Sequence, residues 1–433
     1  MAVTGEYRET GEAAWAWVLA QVRGDDGPWL PESVTGDGCG APPADRDSLY
    51  AGIAGLAPVL AEIARYRPLT GTERALADAI VVRLTATAAA TSEPCWAEGL
   101  AGYVTALRLL SPGAEQVALR RLARLATPAG WDTTLDVGVR GPLTDLVLGT
   151  AGVVLAAAWA GGPDATGIVT VGADALLRVA EPTDAGFDWR MWPGYRGSSP
   201  NFSHGTAGVA SALAVAGRSL GRADLVDAAV AGARHLLAVG SLDDGGFVVP
   251  HTLPYSTRDV EPVTYTWCHG PAGTSYLFAA LGRAGVREVG GYDVAELRAR
   301  CLHSVLTSGL PARLRPGFWD NDGRCCGTAG VGDVLLDAAQ DTADPALVAA
   351  ARTMGDALLE RVVRDGDGAR WRFVEHRAAE PLLPPGTSWM QGAAGIAAFL
   401  LRLARLDRDG LDAAVVDRPE QWWAVPDRLR VSA

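Results

Sequence analysis

Lysine is missing altogether. All 38 basic residues are arginine, set against 50 Asp and Glu for a formal charge of −12. The lack of lysine maps to no single site and reads as coding bias. The charge excludes nucleic acid as the main partner, because an acidic balance without a basic cluster cannot neutralise phosphates. Cysteine is scarce: Cys39, Cys95, Cys268, Cys301, Cys325 and Cys326 are the six in 433 residues. That is too few for a disulfide scaffold, and a chain this long buries a large core without one. No apolar run is long enough to cross a bilayer. The most apolar, 146–162, is slightly short and is interrupted by Gly149 and Gly152, so it reads as a buried helix in a protein that is not integral to a membrane. Residues 1–23 lack the basic and apolar regions of a secretory signal. The expectation is therefore a cytoplasmic protein with reduced thiols, where clustered cysteines are more often metal ligands or catalysts than bridges.

What is present is a repeat. A Gly-x-Ala-Gly element begins at Gly52, Gly99, Gly149, Gly205, Gly270, Gly327 and Gly392, at intervals of 47 to 65 residues. After each comes a run that is apolar nearly all round: 56–64, 103–110, 153–160, 209–216, 274–281, 331–338 and 396–403. Such runs are helices buried on most sides. Between them lie amphipathic segments at 9–22, 73–91, 115–126, 173–180, 223–239, 294–307 and 345–363, with charges at helical spacing as in Glu115, Arg120, Arg121 and Arg124. These read as solvated outer helices. An isolated hairpin cannot bury its inner helix, but hairpins placed side by side can. The expected fold is all-α: an α/α toroid of seven inner and seven outer helices, one domain over 1–433, with a tail at about 407–433 packed on it.

The glycines have a packing explanation, since small residues three apart let a helix start close to neighbouring backbone. All seven inner helices would start at one end of the ring, where their N-termini would also favour anions. The loops leading there are long: 24–48, 181–203, 243–267, 309–324 and 365–389. Loops of that length usually carry function. Short hairpins are expected within 243–267 and 370–376.

Reactive groups stand just before the glycines. Asp145 precedes Gly149, and the next three junctions read Ser203-His204-Gly205, Trp267-Cys268-His269-Gly270 and Arg324-Cys325-Cys326-Gly327. Cys268 and Cys325 lie two before their glycine; His204, His269 and Cys326 lie one before. Matching registers make convergence plausible. Three thiols at one end suggest zinc, and three protein ligands with an open position form the catalytic pattern; the competing reading is three small buried hydrophobes. His204 is the acid/base candidate, because imidazole titrates near neutral pH. Asp145 serves equally as a helix cap. Cys95 and Cys301 read as packing and Cys39 has no assignment. His235, His303 and His376 read as structural or exposed, and His251 has no assignment. Asp184, Asp188, Glu261 and Asp320 lie in the loops without a spacing that pairs them, which argues against a glycosidase.

The sevenfold glycine repeat with Ser-His-Gly, Trp-Cys-His-Gly and Cys-Cys-Gly in that order resembles the lanthionine synthetase C-like proteins over about residues 8–406. Bacterial members are lanthipeptide cyclases; eukaryotic relatives add glutathione to dehydroamino acids. The resemblance implies that Cys268, Cys325 and Cys326 hold Zn2+ and that His204 is the general acid/base with Asp145 as its assistant. It implies a dehydrated precursor peptide as partner, with a dehydratase and an exporter in the same pathway. Cysteine thiolates would add to dehydroalanine or dehydrobutyrine to form thioether rings. Two departures stand out. Most members have Cys-His-Gly where this chain has Cys325-Cys326-Gly327, and cysteine is itself a zinc ligand. Several cyclases carry an Arg where this chain has Thr264, so that role passes to another residue, with Arg324 and Arg196 as candidates. Addition of a small thiol such as glutathione, and a zinc-bearing scaffold that only presents peptide, are the competing functions.

Overall fold

A computed structural model of the chain describes residues 4–24, 26–34, 42–134, 140–255, 262–312, 321–374 and 382–429. Cys39, Glu261, Asp320 and His376 lie outside these residues. Among the described residues are fourteen α-helices and five short antiparallel strand pairs. The seven apolar runs fall in α2 (Leu56–Tyr66), α4 (Leu100–Leu110), α6 (Thr150–Ala160), α8 (Thr206–Leu220), α10 (Pro271–Arg283), α12 (Thr328–Thr342) and α14 (Ala393–Asp409). The seven amphipathic segments fall in α1 (Thr4–Gln21), α3 (Gly71–Ala88), α5 (Gln116–Leu125), α7 (Ala165–Arg178), α9 (Ala223–Val239), α11 (Val294–Thr307) and α13 (Pro345–Arg361). The contrast between the classes is direct. Every residue of α6 is buried, whereas α5 buries Ala118, Leu119 and Leu122 and leaves Arg120 and Arg124 in water.

The glycine element does more than permit packing. The first glycine is the residue before each inner helix, and the second lies in its first turn; only α2 is preceded by a short 3-10 turn, Ile53–Gly55. The loop doubles back so closely that a Cβ on Gly205 would stand 1.3 Å from the Ser199 carbonyl oxygen, and one on Gly208 2.0 Å from that of Phe202. Nothing larger than glycine fits there. The same doubling back occupies the helix N-terminus. Thr206 N–H donates to Ser199 O, Ala207 N–H to Pro200 O, Thr328 N–H to Asn321 O and Ala393 N–H to Gly386 O, at 2.8–3.3 Å. These are the first-turn donors that an anion would need. The expectation of anion-binding N-termini fails for that reason.

The chain forms two compact units. In the first, Met1–Leu84 with Ser308–Val416, α14 packs against α1, α2 and α12, and α13 packs on α12. Salt bridges tie its inner helices. Arg402 on α14 pairs with Asp333 at 2.8 Å and Asp337 at 2.6 Å on α12, and Arg405 pairs with Glu62 on α2 at 2.6 Å. All five side chains are buried. In the second unit, Thr85–Thr307 with Asp417–Ala433, the inner helices α4, α6, α8 and α10 pack in sequence order, each with the outer helix that follows it. The tail begins later than expected, because α14 runs to Asp409. Within the second unit Trp422 meets Tyr276 of α10 edge-on at 5.1 Å and lies under Arg298 of α11.

The expected hairpins shift. Strands form at Val363–Asp365 with Gly368–Arg370, and at Phe373–Val374 with Leu382–Leu383. The 243–267 loop has only a 3-10 turn and isolated bridges among its described residues. No helix among the described residues is long and apolar enough to cross a membrane.

Candidate functional site

Neighbouring repeats are joined at the position two before the glycine. In the second unit the N–H of Ala97 donates to Val147 O, that of Val147 to Ser203 O, and that of Ser203 to Cys268 O, at 2.9–3.2 Å. In the first unit Cys325 N–H donates to Met390 O and Met390 N–H to Tyr50 O, at 2.8 and 3.3 Å. The register seen in the sequence is thus a physical ladder, and it fixes where the flanking side chains stand.

In the second unit this places His204 beside Asp145. His204 Nδ1 lies 2.7 Å from Asp145 Oδ2. The carboxylate is fully buried while the imidazole keeps 28% of its surface in solvent, so the pair presents a reachable ring on a fixed base. Asp145 also accepts from Leu148 N–H at 2.7 Å through Oδ1. The turn that Asp145 closes precedes α6, and Gly149 stands at that helix's start without a side-chain cap, so the helix-cap expectation is not met. Asn201 accepts the His204 N–H at 2.9 Å and donates to His251 O at 3.0 Å.

On the adjoining turn, Cys268 is buried with Thr266 Oγ1 at 3.3 Å and His269 Nδ1 at 2.9 Å from its sulfur. His269 packs 5.6 Å from the ring of His204 and 3.9 Å from that of His251. His251 thus joins the site. Sequence had no means to place it, since it lies in a long loop with no register of its own.

In the first unit, Cys325 and Cys326 are buried, with sulfurs 3.4 Å apart. Gln391 Nε2 reaches Cys326 Sγ at 3.7 Å and the Tyr50 hydroxyl at 2.8 Å, and Asn321 donates to Gln391 Oε1 at 3.2 Å. The Tyr50 hydroxyl is hydrogen-bonded to Cys325. Burial first, and then the charge of Cys325 and Cys326, holds this phenol well above its ordinary pKa, so it remains a donor. A cavity of about 260 Å³ opens beside Tyr50 and Gln391.

Cys268 in the second unit, and Cys325 and Cys326 in the first, are free buried thiols, each able to serve as a metal ligand. The donor set suits zinc, which accepts thiolates readily, and each sulfur has the polar neighbours that orient metal ligands. Cys95 and Cys301 are elsewhere, buried, with thiol pKa values pushed up chiefly by desolvation.

The candidate replacements for arginine differ in their surroundings. Arg324 pairs with Asp333 at 3.5 Å and lies over Trp389, buried among the inner helices, and Arg196 is exposed. Thr264 is buried. Asp188 is taken by Thr206 and Trp189, and lies 3.7 Å from His235. Burial, only partly opposed by Asp188, lowers the His235 pKa.

The family model for lanthionine synthetase C-like protein matches residues 43–415. Among solved structures, nisin cyclase superposes with a TM-score of 0.57 at 13% identity, covering 88% of this chain and 92% of its own. A sugar epimerase from a ruminal bacterium gives a TM-score of 0.46 at 10% identity, covering 93% and 98%. No curated protein matches the chain. The likeness to nisin cyclase shows the fold, an all-α helical toroid.

Proposed function

Starting from a chain that belongs to the lanthionine synthetase C-like family, we propose that it is a zinc-dependent cyclase that adds cysteine thiols of a dehydrated precursor peptide to dehydroalanine or dehydrobutyrine. The observation that carries this reading is the Asp145–His204 pair at 2.7 Å, on a turn hydrogen-bonded to the turn of Cys268. A proton carrier and a thiolate ligand stand on adjoining rungs, and thiol addition to an alkene needs both.

Cys268, Cys325 and Cys326 would hold the zinc, which supplies acidity to a substrate thiol. Asp145 accepts from Nδ1 of His204, so proton exchange with substrate falls to Nε2. In the addition a C–S bond forms at the alkene β-carbon as the π bond breaks. The thiol proton passes to His204 and returns from it to the α-carbon, so the product is the net adduct. His269, packed beside His204 and itself in contact with His251, shields that side of the His204 ring.

Glutathione is a poorer fit as the thiol donor. Among the described residues lining the cavity beside the thiols, Glu32 is the charged one, and it would repel an anionic tripeptide. Peptide cyclase and glutathione transferase separate in one assay. Incubated with a dehydrated cysteine-containing peptide and excess glutathione, the protein should give intramolecular thioether and no glutathione adduct. Purified protein should carry about one zinc per chain, the load one three-thiolate site implies. Cys326→Ala should lose both zinc and cyclisation. A metal-free protein that cyclises at full rate would sink the proposal.

A further inference from the structure

The cavity in the first unit has a built floor, wall and rim. Tyr50, Gln391 and Ser388 line one side, and the first two of these also contact Cys325 and Cys326. Phe373 and Leu383, directly opposite each other on paired strands, continue into Pro384 as an apolar wall. Glu32 and Ser33 form the rim, held by the Ser33–Gly386 bridge and by Thr387 N–H donating to Glu32 O at 3.1 Å.

Its volume, about 260 Å³, falls below the ~300–1,000 Å³ of pockets that hold drug-sized ligands. The space suits one side chain, not a whole peptide ring. Its wall is apolar and, among the described lining residues, its charge is that of Glu32, so it selects in two ways. It favours an apolar side chain that leaves water there, and it disfavours an acidic one that meets the Glu32 carboxylate.

We propose that this cavity is a specificity pocket that receives an apolar side chain next to the reacting cysteine of the substrate peptide. The proposal rests on the cyclase reading above, because it is the shared contacts of Tyr50 and Gln391 with the thiols that tie the pocket to the reacting sulfur. Its consequence is an order of ring closure. Cysteines with a leucine or similar residue beside them would react before those flanked by glycine or aspartate.

The test uses the full chain and a set of short dehydrated peptides that differ only in the residue before or after the cysteine: leucine, glycine or aspartate. Two quantities are read: kcat/KM for thioether formation, and the Kd of matching peptides with alanine in place of the dehydro residue, by calorimetry. Leucine should exceed glycine by about tenfold or more in both, the scale of burying one aliphatic side chain. Aspartate should fall below glycine. Leu383→Trp should collapse the leucine-to-glycine ratio toward one. Glu32→Gln, at an exposed rim position that carries little of the fold, should remove the penalty on aspartate. Turnover with equal rates and equal Kd for leucine and glycine overturns the pocket and leaves the cyclase standing. Leucine-selective binding without turnover of any peptide supports the pocket and overturns the cyclase reading instead.

Discussion

Asp145→Asn should lower the rate of thioether formation by up to about 10⁴ while leaving metal content and fold intact, the scale such a swap reaches in a hydrolase triad. The geometry explains why so small a change costs so much. The asparagine oxygen can still accept from Leu148 N–H, the bond that Oδ1 makes now, so the turn survives. That orientation points the amide NH₂ at His204 Nδ1, where Asp145 Oδ2 sits at 2.7 Å. The NH₂ donates where a carboxylate accepted, which fixes the opposite tautomer and removes the charge that steadies a protonated ring. Single-turnover rates at matched zinc content check it. A rate within twofold of wild type would mean that Asp145 only closes a turn. His204→Ala should lose a comparable ~10²–10⁴, and the double variant should lose little more than either alone, because the two residues act as one unit.

The second large effect concerns stability. Arg402→Ala should destabilise the first unit by ~3–5 kcal/mol, the usual cost of breaking a buried ion pair from one side. Asp333 and Asp337 would remain on α12 with their shared guanidinium gone; both are buried, and Asp337 fully so. Arg324 also pairs with Asp333, at 3.5 Å, and offsets part of the loss. Replacing the whole cluster by apolar residues, Arg402→Met with Asp333→Leu and Asp337→Leu, should recover much of that stability. Denaturant midpoints of the two variants read the difference. A loss under ~1 kcal/mol for Arg402→Ala would place the pair in the class of exposed salt bridges, which contribute little.

The helices were legible because glycine punctuates them. Gly-x-Ala-Gly marks each inner start, and the apolar runs that follow lie inside α2, α4, α6, α8, α10, α12 and α14. The thiols and His204 were legible through register, since the ladder of backbone bonds acts at the position two before each glycine. The same register carried a signal that was passed over. Tyr50 stands two before Gly52, where Cys268 and Cys325 stand in their repeats, and Gln391 stands one before Gly392, matching His204 and Cys326. Uncharged, unreactive side chains drew no notice, although both touch the thiols. His251 had no register at all. Arg402 and Arg405 interrupt an apolar run, and only the acidic residues facing them from α2 and α12 give these arginines their meaning. The anion-binding expectation came from treating helix N-termini alone, when the preceding loop had already satisfied their donors.

The packing of α1 on α14 bears on how the protein comes to exist. Helix α1 rests on α14, the inner helix furthest from it along the sequence. Trp15 bonds to Glu73 of α3, but most of the buried face, with Val18 at its heart, is uncovered until α14 has been synthesised. The middle repeats can pair with neighbours as they emerge, each contact local and quick to form, but this one must close across almost the full length of the sequence. During synthesis α1 therefore stays largely uncovered until α14 has been made, and that is where aggregation or chaperone capture would begin.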